Sequence, residues 1–335
     1  MKKTINVGII GAGLMGSRRA EALVKVGGST LLAVSDVDYS KATKLAHQYG
    51  AEAIANWKDL IKIKELDVII ISVPNKFILP IATEAIKFKK IIFTEKPLGR
   101  NSAESKKIIL LAKKNQVFLR VGFNHRFHAA ILKAKEIMDR GGIGKIMFIR
   151  SRYGYGGRKG MEKEWRFNQD LSGGGELLDQ GVHIIDLCRF FCGEFKEVWG
   201  SLSTKFWKTK VEDNAFVVMK NQQVTANFHV SSTQWKNLFS FEIYGDRGFL
   251  NIEGKGGSYG KETLVYGKRK LEFGVPDLQT FEFEGDSSWE SEWANFIELI
   301  NSNKKRVGNG SDGYLANHIV ESIRKSSKLG KLVKI

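Results

Sequence analysis

Near the start of the chain stands Thr4-Ile-Asn-Val-Gly-Ile-Ile-Gly11-Ala-Gly13-Leu14-Met15-Gly16, and its reading decides the fold. Thr4 to Ile10 is apolar on both sides, as a buried parallel strand is. It runs directly into Gly-x-Gly-x-x-Gly, after which Ser17 to Val26 has a helical pattern. Alone, the three glycines are a weak signal. A strand before, a helix after and an acid about twenty positions on make a strong one. Gly11 permits the tight turn, Gly13 lets the backbone approach a pyrophosphate, and Gly16 lets helix and strand pack closely. With Leu14 and Met15 they open a helix whose N-terminal N–H groups suit phosphate. Leu31-Leu-Ala-Val-Ser-Asp36 is a second apolar strand ending in an acid. Asp36 is placed to accept hydrogen bonds from the adenosine ribose. That favours NAD, because a 2′-phosphate would meet a like charge. Asp38 competes for the role, and Arg18, Arg19 and Lys41 leave NADP open.

The alternation continues outward. Ser40 to Tyr49 reads as helix, Asp67 to Ser72 as strand, Phe77 to Phe88 as helix and Lys90 to Thr94 as strand. Asn101-Ser-Ala-Glu104 is a capping box opening a helix to Lys114, and Val117 to Val121 is a further strand. Such alternation predicts a doubly wound parallel sheet that binds ligands at the C-terminal strand ends. Two of those ends carry polar residues, Val73-Pro74-Asn75 and Thr94-Glu95-Lys96-Pro97. Proline keeps its predecessor extended, so Lys96 is held out of a helix with its amine projected.

The 335 residues suit two domains, expected at 1–122 and 123–335. Hydrophobic residues make up 42% and charged residues 27%, an ordinary globular balance rather than a disordered one. No apolar run reaches the length of a membrane span. The apolar start breaks at once into Gly-Ala-Gly, so it reads as a strand rather than a signal peptide, and the expected compartment is the cytoplasm. Cys188 and Cys192 read as small buried residues; no disulfide framework and no metal set is expected. The net charge of +17 is heaviest in the first third, yet scattered (Lys2, Lys3, Lys25, Lys62, Lys64, Lys89, Lys90). Without an aromatic-interleaved basic block, the charge points to an anionic cofactor or substrate, or to solubility, and not to nucleic acid.

A second chemical signature is Gly173-Gly-Gly-Glu-Leu-Leu-Asp179-Gln-Gly-Val-His183-Ile-Ile-Asp186. On a helix, Asp179, His183 and Asp186 share one face. A carboxylate one turn before an imidazole can fix its tautomer and stabilise its protonated form, as a general base requires. The preceding loop, Gly154 to Gly160, and Trp165-Arg166 read as a substrate rim, with Arg158 and Arg166 able to make paired hydrogen bonds. His125, beside Asn124, is a candidate contact to nicotinamide or substrate, whereas His47, His128, His229 and His318 read as structural or exposed. Beyond Gly193 the pattern is of strands with aromatics on alternating faces (Trp199, Phe206, Phe216, Phe228, Trp235, Phe239, Phe241). That suggests a sheet covered by the histidine helix on one side and by another subunit on the other. A last helix, about 313–328, is expected to pack back on the first domain.

The glycine motif, Glu95-Lys96-Pro97, Gly122-Phe-Asn-His-Arg-Phe127 and Gly173 to His183 together resemble the glucose–fructose oxidoreductase / inositol dehydrogenase / rhizopine catabolism protein (Gfo/Idh/MocA) family, in family order across the chain. The resemblance implies a Rossmann domain followed by an α/β domain whose large, mostly antiparallel open sheet joins subunits into a dimer or tetramer. It implies Lys96, Asp179 and His183 as the catalytic trio. It also implies a cofactor site including Pro74, Asn75, Glu95 and Lys96. A substrate site follows at Lys96, Asn124, Arg158, Trp165, Arg166 and His183. One departure is Lys76-Phe-Ile-Leu79, where many members carry a histidine. The expected reaction is reversible hydride transfer between nicotinamide and a secondary alcohol of a sugar, cyclitol, or acidic or nucleotide-linked sugar. A non-catalytic NAD-sensing regulator, or a redox-neutral epimerase or glycosidase, are the alternatives.

Overall fold

A computed structural model describes residues 4–270, 272–302 and 308–335. Lys2 and Lys3 lie outside them. Contacts divide the chain into two compact units, residues 1–123, 170–173 and 289–317, and residues 124–169, 174–288 and 318–335.

In the first unit, β1 (Ile5–Ile10), α1 (Leu14–Val26), β2 (Ser29–Ser35), α2 (Tyr39–Tyr49), β3 (Glu52–Ala53) and α3 (Trp57–Lys62) are followed by β4 (Val68–Ile71), α4 (Ile78–Lys87), β5 (Ile91–Glu95), α5 (Ser102–Lys114) and β6 (Leu119–Gly122). The six strands are parallel, in the order β3-β2-β1-β4-β5-β6. The order reverses at β1, and ligands of such sheets bind beyond the strand ends at that switch point. The expected Rossmann architecture is present. The two-residue β3 and the single-turn α3 were not foreseen; neither is long enough to show a period. Asn101 caps α5 by accepting from the Glu104 N–H at 2.9 Å, but Glu104 turns away to the Arg100 N–H and guanidinium. A cut at residue 122 omits the stretch 289–317. Trp293 and Phe296 from that stretch complete the first unit's core against the ring of Phe93.

The second unit holds α6 (Ala129–Asp139), β7 (Ile146–Gly154), the histidine helix Val182–Cys192, and strands β8 (Glu197–Ser203), β9 (Asn214–Lys220), β10 (Thr225–Ser231), β11 (Leu238–Gly245), β12 (Gly248–Glu253), β13 (Glu262–Lys268), β14 (Asp277–Phe283) and β15 (Val333–Lys334). They form one nine-stranded sheet, β14-β13-β12-β11-β7-β10-β9-β8-β15, in which only β7 and β10 pair in parallel. Gly245 and Gly248 pair across the two-residue turn Asp246-Arg247. Inward-facing Phe228, Phe239 and Phe241 are buried, while Trp199 and Phe216 point outward and are exposed. Phe206 and Trp235 are loop residues, not strand residues. The helix Gly310–Leu329 contributes its residues through Asn317 to the first unit and the remainder to the second. There the Asn317 amide donates to the Leu98 and Gly99 carbonyls and to Ser105 Oγ.

Among the described residues no helix is long and apolar enough to cross a membrane, and no group of three or more His, Cys, Asp or Glu could hold a metal. Cys188 and Cys192 are unbridged; burial pushes both thiols up, Cys192 to about 12.

Candidate active site

The glycines of the first unit divide the work by geometry. Gly11 has φ +102, and a Cβ there would lie 2.1 Å from the Ser72 carbonyl oxygen; one on Gly16 would lie 1.9 Å from that of Gly11. These two are demanded by turn and packing. A Cβ on Gly13 would meet nothing within 4 Å, so the loop backbone there is open to a ligand. Gly13 begins α1 with no side-chain cap, and the N–H groups that follow, at Leu14 and Met15, suit a pyrophosphate. The residues fit a dinucleotide.

Asp36 follows β2 directly and turns back on the loop, accepting from the Ala12 N–H at 2.7 Å and the Asp38 N–H at 2.8 Å. A carboxylate offers about four acceptor positions, so capacity remains for ribose hydroxyls. Asp38 is occupied as the cap of α2 and pairs with Lys41 at 3.1 Å. Arg19, counted among the cations open to a 2′-phosphate, is instead wholly buried between Glu95 (2.6 Å) and Glu292 (2.7 Å), its guanidinium over Phe93 and Trp289. Burial alone would lower its pKa; the two carboxylates outweigh that and raise it. Glu95 therefore sits at the β5 end as the partner of Arg19. Lys96 follows it, half-buried, before a cis peptide to Pro97. Pro74 is half-buried beside Asn75, which is buried and donates to the Ser172 carbonyl at 2.7 Å. Lys76, the first residue of the stretch 76–79 in which many members carry a histidine, pairs with Asp170.

In the second unit the expected single helix has two parts. Leu177–Gly181 is a π-helical turn and Val182–Cys192 is α-helical, so Asp179 lies in the wide turn and His183 in the helix. Such π-turns recur at functional sites because they re-aim side chains. His183 is 4% exposed, and its ring lies on that of His125 with centroids 3.7 Å apart and planes 21° from parallel. His125 is held in turn by Asn124 Oδ1 at 3.2 Å, and Asn124 donates to Ser288 Oγ at 2.9 Å. Asn124 is thus a buried support behind His125, rather than an open substrate group. Tyr153 meets both imidazoles, 5.3 Å and 6.4 Å between centroids. Sequence reading named His125 as a candidate contact but did not foresee this stack.

Asp186 lies one turn further along the helix. It is buried in a two-pronged ion pair with Arg126, at 2.7 Å and 2.5 Å, and braces the helix. Asp179 keeps an exposed edge and has Arg166 at 3.4 Å. The Arg166 guanidinium also lies 4.7 Å over the Trp165 ring. Arg158 is exposed and pairs with Glu164 at 2.5 Å, and Arg166 approaches the same carboxylate at 3.8 Å. Three phenols close the group. Burial, then the charges of Glu176 and Asp179, raise Tyr155 well above the usual range; burial, Tyr259 and both carboxylates do the same for Tyr153. Tyr259 is pushed up to about 12, by burial first. All three stay protonated donors near neutral pH. Nothing in the local sequence marks Tyr153 or Tyr259, because strand pairing and ring packing bring them in.

The glycines before the helix are required by the packing around them. A Cβ on Gly173 would strike the Arg100 backbone, one on Gly174 the Arg324 guanidinium, and one on Gly175 the Glu212 carbonyl.

This chain belongs to the Gfo/Idh/MocA family of oxidoreductases, with residues 5–123 matching its NAD-binding Rossmann fold and residues 131–251 its C-terminal domain. It is 30% identical over 213 residues to the levoglucosan dehydrogenase of Pseudarthrobacter phenanthrenivorans, a match covering 60% of this chain and 55% of that one. It is 26% identical to the myo-inositol 2-dehydrogenase of Thermotoga maritima over 343 residues, covering 99% and 98% of the two chains. The solved structure of a levoglucosan dehydrogenase in complex with NADH and levoglucosan superposes with a TM-score of 0.88 at 22% identity, covering 99% of both chains.

Proposed function

We propose that this chain is an NAD-dependent dehydrogenase acting reversibly on a secondary alcohol of a sugar, cyclitol or sugar derivative. The observation that carries the reading is His183, a buried imidazole fixed by a ring stack with a carboxylate one turn earlier, in a chain with an NAD-binding Rossmann fold. The relatives' names, a levoglucosan and an inositol dehydrogenase, support a polyhydroxylated ring as substrate. Hydride leaves an alcohol carbon only as the hydroxyl proton departs, and His183 is the base that takes it. Asp179 stabilises the resulting imidazolium, and Lys96 offsets negative charge developing on the substrate oxygen. Gly11, Gly13 and Gly16 would hold the pyrophosphate and Asp36 the ribose; the bound nicotinamide supplies the hydride acceptor. Arg166, Trp165 and the phenols would contact substrate hydroxyls. His183→Ala and Lys96→Ala should each lower turnover by about 10²–10⁴-fold, read from reduced-nicotinamide absorbance. Unchanged turnover in either would end the assignment.

Asp36, together with the burial of Arg19, supports NAD over NADP, so kcat/KM should favour NAD and Asp36→Ser should narrow the ratio. The outer sheet face supports assembly into a dimer or tetramer, and the unbridged cysteines fit the cytoplasm.

A further inference from the structure

Two loops of the second unit carry exposed aromatics that the proposed chemistry does not use. They are residues 204–213, after β8, and residues 232–237, between β10 and β11. Phe206 is 57% exposed and Trp235 63%, and their rings meet edge to face with centroids 4.7 Å apart. A bulky residue with φ +58, as Trp235 has, sits in a region such side chains rarely adopt. Outliers of this kind persist where surrounding structure enforces them, often at binding sites.

The platform is built, not loose. The Asp213 carboxylate accepts from the N–H groups of Lys205, Phe206 and Trp207 at 2.8, 2.8 and 3.0 Å, and Trp207 Nε1 donates to the Ser232 carbonyl at 3.0 Å. Beneath it runs the glycine loop 154–160. A Cβ on Gly157 would lie 2.2 Å from the Trp207 ring, and one on Gly156 3.0 Å from the Trp235 carbonyl carbon. From the same loop Tyr155 donates to Glu176 at 3.2 Å, one turn ahead of Asp179. The aromatic platform is therefore continuous with the group around His183.

The charge on these loops is one-sided. Lys205, Lys208, Lys210 and Lys236 are all exposed. Of the carboxylates, Asp213 is buried under the backbone N–H groups and Glu212 faces Arg324 at 3.7 Å. Reading the basic charge as scattered overlooked this pairing, because Lys205-Phe-Trp-Lys208 and Trp235-Lys236 lie far apart in sequence.

We propose that the Phe206–Trp235 platform and its lysines form a subsite for the base and diphosphate of a nucleotide-linked sugar. An aromatic face stacks on a base whatever its identity, and clustered ammonium groups draw in a diphosphate. This rests on the sugar-dehydrogenase reading for the kind of ligand, but its test does not need turnover. Uridine 5′-diphosphate is titrated calorimetrically into the full-length protein saturated with NADH. Saturable binding is expected, weakening roughly tenfold or more in Trp235→Ala and little in Trp235→Phe. Lys208→Glu and Lys236→Glu should weaken it and flatten its salt dependence. His183→Ala should bind the diphosphate as the wild type does. Absence of binding, or affinity unchanged in Trp235→Ala and Lys208→Glu, would overturn the subsite. So would a Trp235→Ala variant that separates copies of the chain while its diphosphate affinity stays intact. Diphosphate binding without NAD-linked oxidation of any sugar would sustain the subsite and sink the dehydrogenase reading.

Discussion

At the residue scale, the informative contacts are those that give a polar group one geometry. His125 lies 58 positions before His183, and a stack at 3.7 Å holds the His183 ring plane. An aromatic contact of about 0.5–1.5 kcal/mol corresponds to roughly 2- to 10-fold in rate. His125→Ala should therefore lose about that much in kcat/KM, while His125→Phe keeps the stack and most of the rate. Equal losses in the two variants would mean that His125 acts by titrating rather than by stacking. Arg19 sets a different problem. Its removal breaks the ion pairs to the buried Glu95 and Glu292, leaving Glu292 only the charge of Arg120, and breaking a buried pair in this way costs about 3–5 kcal/mol. Arg19→Met should lower the unfolding midpoint sharply in denaturant titration. A near-wild-type midpoint would show that the carboxylates take up protons at little cost.

Individual elements were legible in proportion to how locally they are specified. The strand–glycine–helix start was plain because turn, phosphate cradle and packing all fall within a dozen or so residues. The histidine helix was legible as a helix, but its π-turn was not, since Leu177 to Gly181 has nothing in composition to separate it from an α-turn. The role of the glycines before it was also hidden, because Arg100, Arg324 and Glu212, the groups that fill their Cβ space, come from elsewhere in the chain. The two kinds of neighbour predict different costs. Gly175→Ala meets the Glu212 backbone at 2.0 Å and should destabilise by about 1–3 kcal/mol, as overpacking does. Gly174→Ala meets the movable end of Arg324 and should cost less; the reverse order in thermal unfolding would contradict this. Loop 204–213 carries a pH signature as well. Burial pushes the Asp213 carboxyl up, but Asn214 and three backbone N–H groups outweigh it and leave it below the usual value. A depressed carboxylate stabilises the fold above its unfolded pKa, near 3.9, and that stability drains away as pH falls through the folded value. Tryptophan fluorescence from this loop should report acid loosening below about pH 4. In Asp213→Asn the loop should already be loosened at neutral pH.

At the scale of the whole molecule, the sequence announced two architectures and an outer sheet face covered by another subunit, but not which side chains make that face. An antiparallel sheet with one solvated face alternates apolar with polar residues. Here the outward row runs Trp199, Val218, Asn227, Arg150, Glu242, Asn251, Val265 across successive strands, with charge only at its centre. A neighbouring row pairs Phe148, Tyr244 and Phe249 as stacked rings, and Phe216 lies flat on His229 at 3.9 Å with its ring exposed. The Arg150–Glu242 pair at 2.6 Å satisfies the charge at the centre of the face without outside help. Exposed aromatics around a paired charge have the make-up of a subunit contact, with apolar anchors and satisfied polar groups. The wild-type chain should therefore sediment as a dimer or tetramer at micromolar concentration. Phe216→Lys with Trp199→Glu should shift it towards the monomer without lowering the unfolding midpoint much, because both side chains are exposed within one copy. A wild-type monomer would mean that water covers this face, and then the alternation the outer strands lack would have to be explained by something other than assembly.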